Sequence, residues 1–507
     1  MRILFFVVVV LESLLAVSPA SLAAGAGELD RTFSGDGIAR HRFADTGSGQ
    51  VMTDGSERVI VASGMTDRQV LSRFTADGRL DRAYGTRGST VVLSGVLSSL
   101  NALHVEAGGG AVVAGRLGPD TVAFAKIAAT GSLDPRFGVA GTAQVRMSAP
   151  GLVLPGLLRA PGGRLAVGVL GLGAEQQESR LALVGVTATG NADQRLGPTG
   201  IRPVTGPPAS FGSVLVKGQT GFLAVHCGST GLAEYTRLTD DGAVIESGQI
   251  SFGFTPEICT VDRNEVVAAA ISNGRLVVAR VPADAPQQLH FARPQQAPYA
   301  YGQLVAARLD QEGRVVVLSA QSDGSTAVDR LRPDGRLDSA FGYRGRVFLR
   351  PSPDRSERLR PDDLTFDSLG RIVVLSSAGD GYGDYRQDHN HPDDLHLARL
   401  RSDPAPLLPS SAPVTVARSG RALLRVRCGL ARRPCRGTAA MTGAGLSAKA
   451  TMQTVRIPPA GRRTLTLELG SRGTSLAKQR RTVTLQLRVA RADGRIDPLD
   501  QQLRLTP

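Results

Sequence analysis

The chain has 507 residues, too many for one ordinary core, so two or three domains are expected. Trp is absent, aromatics make up 4% and Gly reaches 60 residues; high Gly with many Val and Leu suits short strands joined by tight turns. The net charge is +14, but residues 413–507 carry 19 Lys and Arg against 4 Asp and Glu, a net of +15, so the basic character belongs to the tail and everything before it is close to neutral.

The first residues read as an export signal. Arg2 precedes an apolar run from Ile3 to Leu11 that continues past Glu12 to Val17, and small residues follow at Pro19, Ala20, Ser21, Ala23, Ala24 and Ala26. Cleavage after Ala23 or Ala26 fits the small-x-small rule. The run falls short of the roughly 20 apolar residues of a spanning helix, and no later segment reads as transmembrane. Residues 1–26 are therefore expected to be removed, leaving a secreted, extracellular chain without a membrane helix. The four cysteines form two sequence-local pairs, Cys227 with Cys259 and Cys428 with Cys435, and export favours disulfides in both.

One phrase recurs through most of the chain: Asp-Gly-Arg-Leu-Asp-x-x-(Tyr/Phe)-Gly-x-x-Gly. It stands at Asp77–Gly88 and Asp334–Gly345, with a third copy at Gly131–Gly141 and a truncated one at Leu29–Gly37. Weaker copies start at Thr189 and Asp241. Between copies lie pairs of short apolar runs. The first members begin at Val59, Ala111, Leu165, Phe222, Val266, Val315 and Ile372, and the second at Val70, Val122, Leu181, Ala233, Leu276, Ala327 and Leu395. Each series counts seven. The period of about 50 residues is that of a four-stranded propeller blade. The expectation is all-β: a seven-bladed β-propeller over 27–403, with Gly37–Phe43 supplying the fourth strand of the last blade so that no edge is left open.

With these tandem Leu-Asp-x-x-Phe-Gly-x-x-Gly units the chain resembles the delta-60 repeat proteins, secreted and bacterial, over about residues 27–404. The resemblance implies a propeller-like fold and no common reaction. Within the phrase, Asp30, Asp81, Asp134 and Asp338 suit acceptors of backbone N–H groups in the loop, and Phe33, Tyr84, Phe137 and Phe341 suit apolar pins for it. Carboxylates repeated in blade after blade point to structure rather than to a reaction centre.

Residues 404–412 are Pro-rich and read as a stiff linker. The alternating stretches after it predict a small immunoglobulin-like β-sandwich over 413–507. In this tail Arg425, Arg427 and Arg488 alternate with apolar residues, which places them on a sheet face suited to an anionic cell-wall polymer or extracellular polysaccharide. Nucleic acid is disfavoured by export and by a tail without Trp, Tyr or Phe to stack on bases.

No nucleophile elbow, P-loop, His-Glu-x-x-His or dinucleotide fingerprint occurs. An Asp- and His-rich stretch at 380–394 offers Asp388, His389 and His391 as weak binding candidates, without the spacing of a known metal cage. No cofactor is implied. The leading expectation is a monomeric, non-catalytic binding or scaffold protein. The alternative is a propeller enzyme acting on extracellular carbohydrate, as a polysaccharide lyase or quinoprotein-type dehydrogenase; a cluster of His, Glu or Tyr at one mouth of the central channel would favour it.

Overall fold

A computed structural model describes residues 26–42, 49–64, 68–94, 99–154, 156–171, 180–204, 213–228, 231–291, 295–296, 302–310, 312–350, 358–379, 394–402, 407–409, 414–428, 435–458, 462–490 and 496–507. The chain divides into two compact units, with the boundary between Asp403 and Pro404. Among the described residues no helix is long and apolar enough to cross a membrane.

The first unit is all-β. Among the described residues its strands form seven antiparallel sheets of four strands, two of them with a short fifth. Sheet 1 runs Gly49–Thr53, Val59–Gly64, Arg68–Phe74 and Ser89–Ser94, and sheet 2 runs Ser99–Val105, Ala111–Leu117, Thr121–Ile127 and Thr142–Arg146. Sheets 3 to 6 repeat this order, with second strands at Arg164–Gly171, Phe222–Cys227, Glu265–Ser272 and Val315–Gln321. Sheet 7 takes Arg358–Phe366, Ile372–Gly379 and Asp394–Leu400 from the end of the unit and Ile38–Arg42 from its beginning. The expected pairing of the N-terminal strand is thus present, in the register Ile38 to Ala398 and Arg42 to Asp394.

Each sheet packs on the next, and sheet 7 packs on sheet 1, so the ring closes. Seven apolar cores fill the seven gaps, one between each neighbouring pair. This explains the sequence of the second strands. Val59-Ile60-Val61-Ala62 and Ala111-Val112-Val113-Ala114 are buried on both faces, because each middle strand has a neighbouring sheet on either side. A radial array of small antiparallel sheets with no free end is a propeller-like fold.

The second unit has a single core that gathers Ala422, Leu424 and Val426 with Met441, Val455, Leu465 and Leu485. Strand Arg421–Cys428 pairs with Arg462–Glu468 in one half, and Cys435–Thr442 lies between Gln453–Ile457 and Thr482–Ala490 in the other. The halves join through a parallel pairing of Val414–Val416 with the last strand, Ile496–Thr506. One expectation needs correction. Leu407–Pro409, placed in a linker, is a strand paired with Val426–Cys428, since a proline is tolerated on an edge. A nine-residue helix, Gly470–Lys478, follows the strand ending at Glu468, and its Leu476 and Ala477 enter the core.

Candidate functional site

The repeated carboxylates meet arginines that stand eight residues upstream on the third strand. Arg73 Nε lies 2.8 Å from Asp81, and its guanidinium sits 4.4 Å over the Tyr84 ring. Arg330 pairs with Asp338 at 2.8 Å and covers Phe341 at 4.6 Å. Arg399 pairs with Asp30 at 3.0 Å and covers Phe33 at 4.6 Å, across the ring closure. Lys126 makes a looser pair with Asp134 at 3.6 Å. In the three arginine cases the planar cation is neutralised from one side and stacked from the other.

The same groups also join neighbouring sheets. Arg399 donates to the Ala76 carbonyl at 2.6 Å, Arg73 to that of Ala129 and Arg330 to that of Ser402. The residue after each aromatic donates its N–H to the following turn: Ser34 to Asp77, Gly85 to Thr130, Gly138 to Thr189 and Gly342 to Ala26. In the weak copy at 189–200 the third-strand position is Gly185. There Arg164 from the second strand supplies the guanidinium, 2.7 Å from Asp193 and 3.3 Å from the Asp240 carbonyl of the next turn. Leu196 replaces the aromatic and is buried.

A second charged motif escaped the sequence reading. In the turn after the first strand, Asp54, Asp310 and Asp367 each accept the side chain of the arginine four residues on: Arg58, Arg314 and Arg371. Arg371 also reaches Asp30 at 3.0 Å and pairs with Glu57 of sheet 1. Burial alone would raise the Asp30 carboxyl, but Arg399 and Arg371 with the Thr32 hydrogen bonds outweigh it and hold it below the usual range. The recurring signal was available as Asp-x-x-x-Arg, but three short copies between long apolar runs read as ordinary turns.

The first strands of the sheets are stitched together by polar groups. Asp363 accepts the Val51 N–H at 3.1 Å and Arg308 at 2.9 Å, while Arg308 donates to the Val261 carbonyl at 3.2 Å. On sheets 2 and 3, His104 Nε2 stands 3.3 Å from Arg159, which pairs with Glu106 at 3.6 Å. Burial, then Arg159, lowers the His104 pKa and so favours its neutral form. A buried Ser213–His226 contact of 2.6 Å lies on sheet 4, where burial takes His226 down to about 4. Among the described residues no group of His, Cys, Asp and Glu could hold a metal ion. Asp388, His389 and His391 lie outside the described residues.

Cys227 and Cys259 are bonded, with Cα atoms 6.5 Å apart, and tie the second strand of sheet 4 to the first strand of sheet 5. Cys435 is buried and disulfide-bonded; the side chain of Cys428, its expected partner, lies outside the described residues.

The three tail arginines are not brought together. Arg425 is exposed on the strand opposite Thr464, with Arg427 two residues along the same strand. Arg488 belongs to the other half, opposite Thr438. On that half Arg436 stands diagonal to Arg488, and Arg456 stands opposite Arg436 on the next strand; the sequence reading did not select this pair.

No protein-family profile and no curated protein matches the chain. Among solved structures it is similar to a luciferin-regenerating enzyme (11% identity, TM-score 0.34, covering 73% of this chain and 99% of that one). It is also similar to a puromycin-hydrolysing peptidase of Mycobacterium tuberculosis (13% identity, TM-score 0.41, covering 77% and 62%). A third is the extracellular domain of a hybrid two-component system from B. thetaiotaomicron (9% identity, TM-score 0.38, covering 96% and 60%). The chain thus spans less than two thirds of the length of the last two.

Proposed function

We propose that this chain is an exported, non-catalytic binding or scaffold protein: a seven-bladed propeller of delta-60-type repeats followed by a basic immunoglobulin-like sandwich that adheres to anionic cell-envelope polymer. One observation carries the non-catalytic reading. Asp30, Asp81, Asp134, Asp193 and Asp338 are all engaged by Arg or Lys within the ring, so the most regular acidic feature of the chain is spent on holding sheets together. The near-neutral ring then serves as a rigid platform, and the +15 tail supplies the long-range attraction.

One observation favours the alternative of a carbohydrate-active propeller: His104, Glu106 and Arg159 converge on the first strands of adjacent sheets. A single experiment separates the two. The full chain is incubated with purified cell wall and with a panel of extracellular polysaccharides, at low and high salt, and both retention and product release are measured. Retention that falls steeply with salt, without product, supports adhesion. Product release that disappears in His104→Ala would establish the enzyme instead.

A further inference from the structure

Like charges directly opposite on paired strands are destabilising. The tail nevertheless places Arg436 of the strand Cys435–Thr442 directly opposite Arg456 of Gln453–Ile457. Both are exposed. The next outward row along the same three strands reads Thr454, Thr438 and Arg488. Arg463, from the other half, reaches the Arg456 carbonyl at 3.0 Å and brings a further guanidinium to that corner. Guanidinium and hydroxyl donors therefore alternate over a small patch, with opposed positions about 5 Å apart and diagonal ones about 7–8 Å. Among the described side chains of the tail the acid is Glu468, and it pairs with Arg421 on the other half at 2.9 Å. Asp497 and Asp500 fall on the last strand, opposite Val489 and Gln486; Asp500 is thus diagonal to Arg488, while Arg436 and Arg456 lie one and two strands beyond it.

We propose that this face, built on Arg436 and Arg456 with Thr438 and Thr454, is the docking site for a linear phosphodiester polymer of the teichoic type. The proposal rests on the adhesive reading given above and names its face and its ligand. The occupant follows from charge complementarity. A concentrated row of cations without an acid in the row is relieved by an anion that itself repeats, and a phosphodiester chain presents one charge per unit with two free oxygens to match the guanidinium fork. Thr hydroxyls complete the donor set, as they do in many phosphate contacts. The half bearing Arg421 and Arg425 is a poorer candidate, because Glu468 already answers one of its arginines.

The test uses the full chain and three immobilised polymers: polyglycerol phosphate, inorganic polyphosphate and polygalacturonate. Wild type is compared with Arg436→Ser/Arg456→Ser and with a charge-matched control, Arg418→Ser/Arg425→Ser. The expected result is a loss of about tenfold or more in affinity for both phosphate polymers in the first variant, with a salt slope lower by about two, and a much smaller change in the control. Removing the opposed charges should also raise the melting temperature, a signature that misfolding cannot produce. Equal losses in the two variants would overturn the proposal, because binding would then follow net charge. Wild-type binding to polygalacturonate but not to the phosphate polymers would overturn the phosphate assignment and leave the adhesive reading standing. Failure to bind any of the three would remove the adhesive reading itself.

Discussion

Gly342 donates its N–H to the carbonyl of Ala26 at 2.8 Å, the same bond that Gly85 makes to Thr130 and Gly138 to Thr189. In those cases the acceptor belongs to a continuous turn. At the closure the turn is assembled from two chain ends: Gly27 donates to Arg401 at 2.7 Å and Arg401 to Glu28 at 2.9 Å, as Gly78 donates to Thr75 and Thr75 to Arg79 in sheet 1. Leu29 bridges Leu400 as Leu80 bridges Phe74. The ring is thus cut inside a repeat, and residues 26–42 restore both the missing loop and the missing strand.

Phe33 tests this closure. It is fully buried in the core between sheets 7 and 1, as Phe137 is between sheets 2 and 3, although Phe33 belongs to the N-terminal segment. Phe33→Ala and Phe137→Ala should each cost about 3–5 kcal/mol in urea or guanidinium unfolding. A Phe33→Ala variant as stable as wild type would mean that the N-terminal segment does not dock in solution.

Asp30 gives the closure a pH signature. Its folded pKa is depressed, so the stability it confers is complete above its unfolded value of about 3.9 and is lost as pH falls through the lower folded value. The melting temperature of wild type should therefore drop across the acid range below about pH 4. Asp30→Asn should be less stable at neutral pH and should lose part of that drop. Parallel curves for the two proteins over the whole range would contradict the pairing of Asp30 with Arg399 and Arg371.

Much of this fold is legible in the sequence. Asp-Gly turns and twin apolar runs locate second and third strands, because second strands are buried on both faces and mainly apolar, and third strands keep apolar residues around their paired cation. The carboxylates and aromatics of the repeat are visible for the same reason, since each copy faces the same loop. Their cationic partners are harder to read. The position eight residues upstream is Arg73, Lys126, Gly185 and Arg330 in turn, and the gap at Gly185 is filled by Arg164 from another strand. That substitution conserves a position in space and not in sequence. In the tail, alternation shows which arginines share a strand face, but the pairing of Arg436 with Arg456 depends on strand order, which a single sequence does not encode locally.

The Cys227–Cys259 bond should matter most through the unfolded chain. It spans 32 residues, and loop-closure entropy puts its contribution at about 4 kcal/mol. Cys227→Ser/Cys259→Ser should lower unfolding stability by about 2–4 kcal/mol while leaving the far-ultraviolet spectrum of β-structure intact. Free thiols detected at Cys227 and Cys259 in the denatured, unreduced protein would refute the bond.

The sharpest test of the inter-sheet latch compares two glycines with nearly the same positive φ. Gly35 has φ +83° and Gly131 has φ +87°, so alanine at either site meets the left-handed penalty of about 1–2 kcal/mol. Their surroundings differ. A Cβ on Gly35 meets nothing within 4 Å, whereas one on Gly131 falls 2.4 Å from the Gly85 nitrogen and 2.9 Å from its Cα. Those atoms are backbone and cannot turn aside, and Gly85 is the residue that donates to Thr130 across sheets 1 and 2. Gly131→Ala must therefore strain or open the latch, and should cost about 1–3 kcal/mol more than Gly35→Ala. Hydrogen exchange at the Gly85 amide should accelerate in Gly131→Ala and stay unchanged in Gly35→Ala. Equal stabilities, or a Gly85 amide equally protected in both variants, would show that the turn and the loop of the neighbouring sheet do not touch as described.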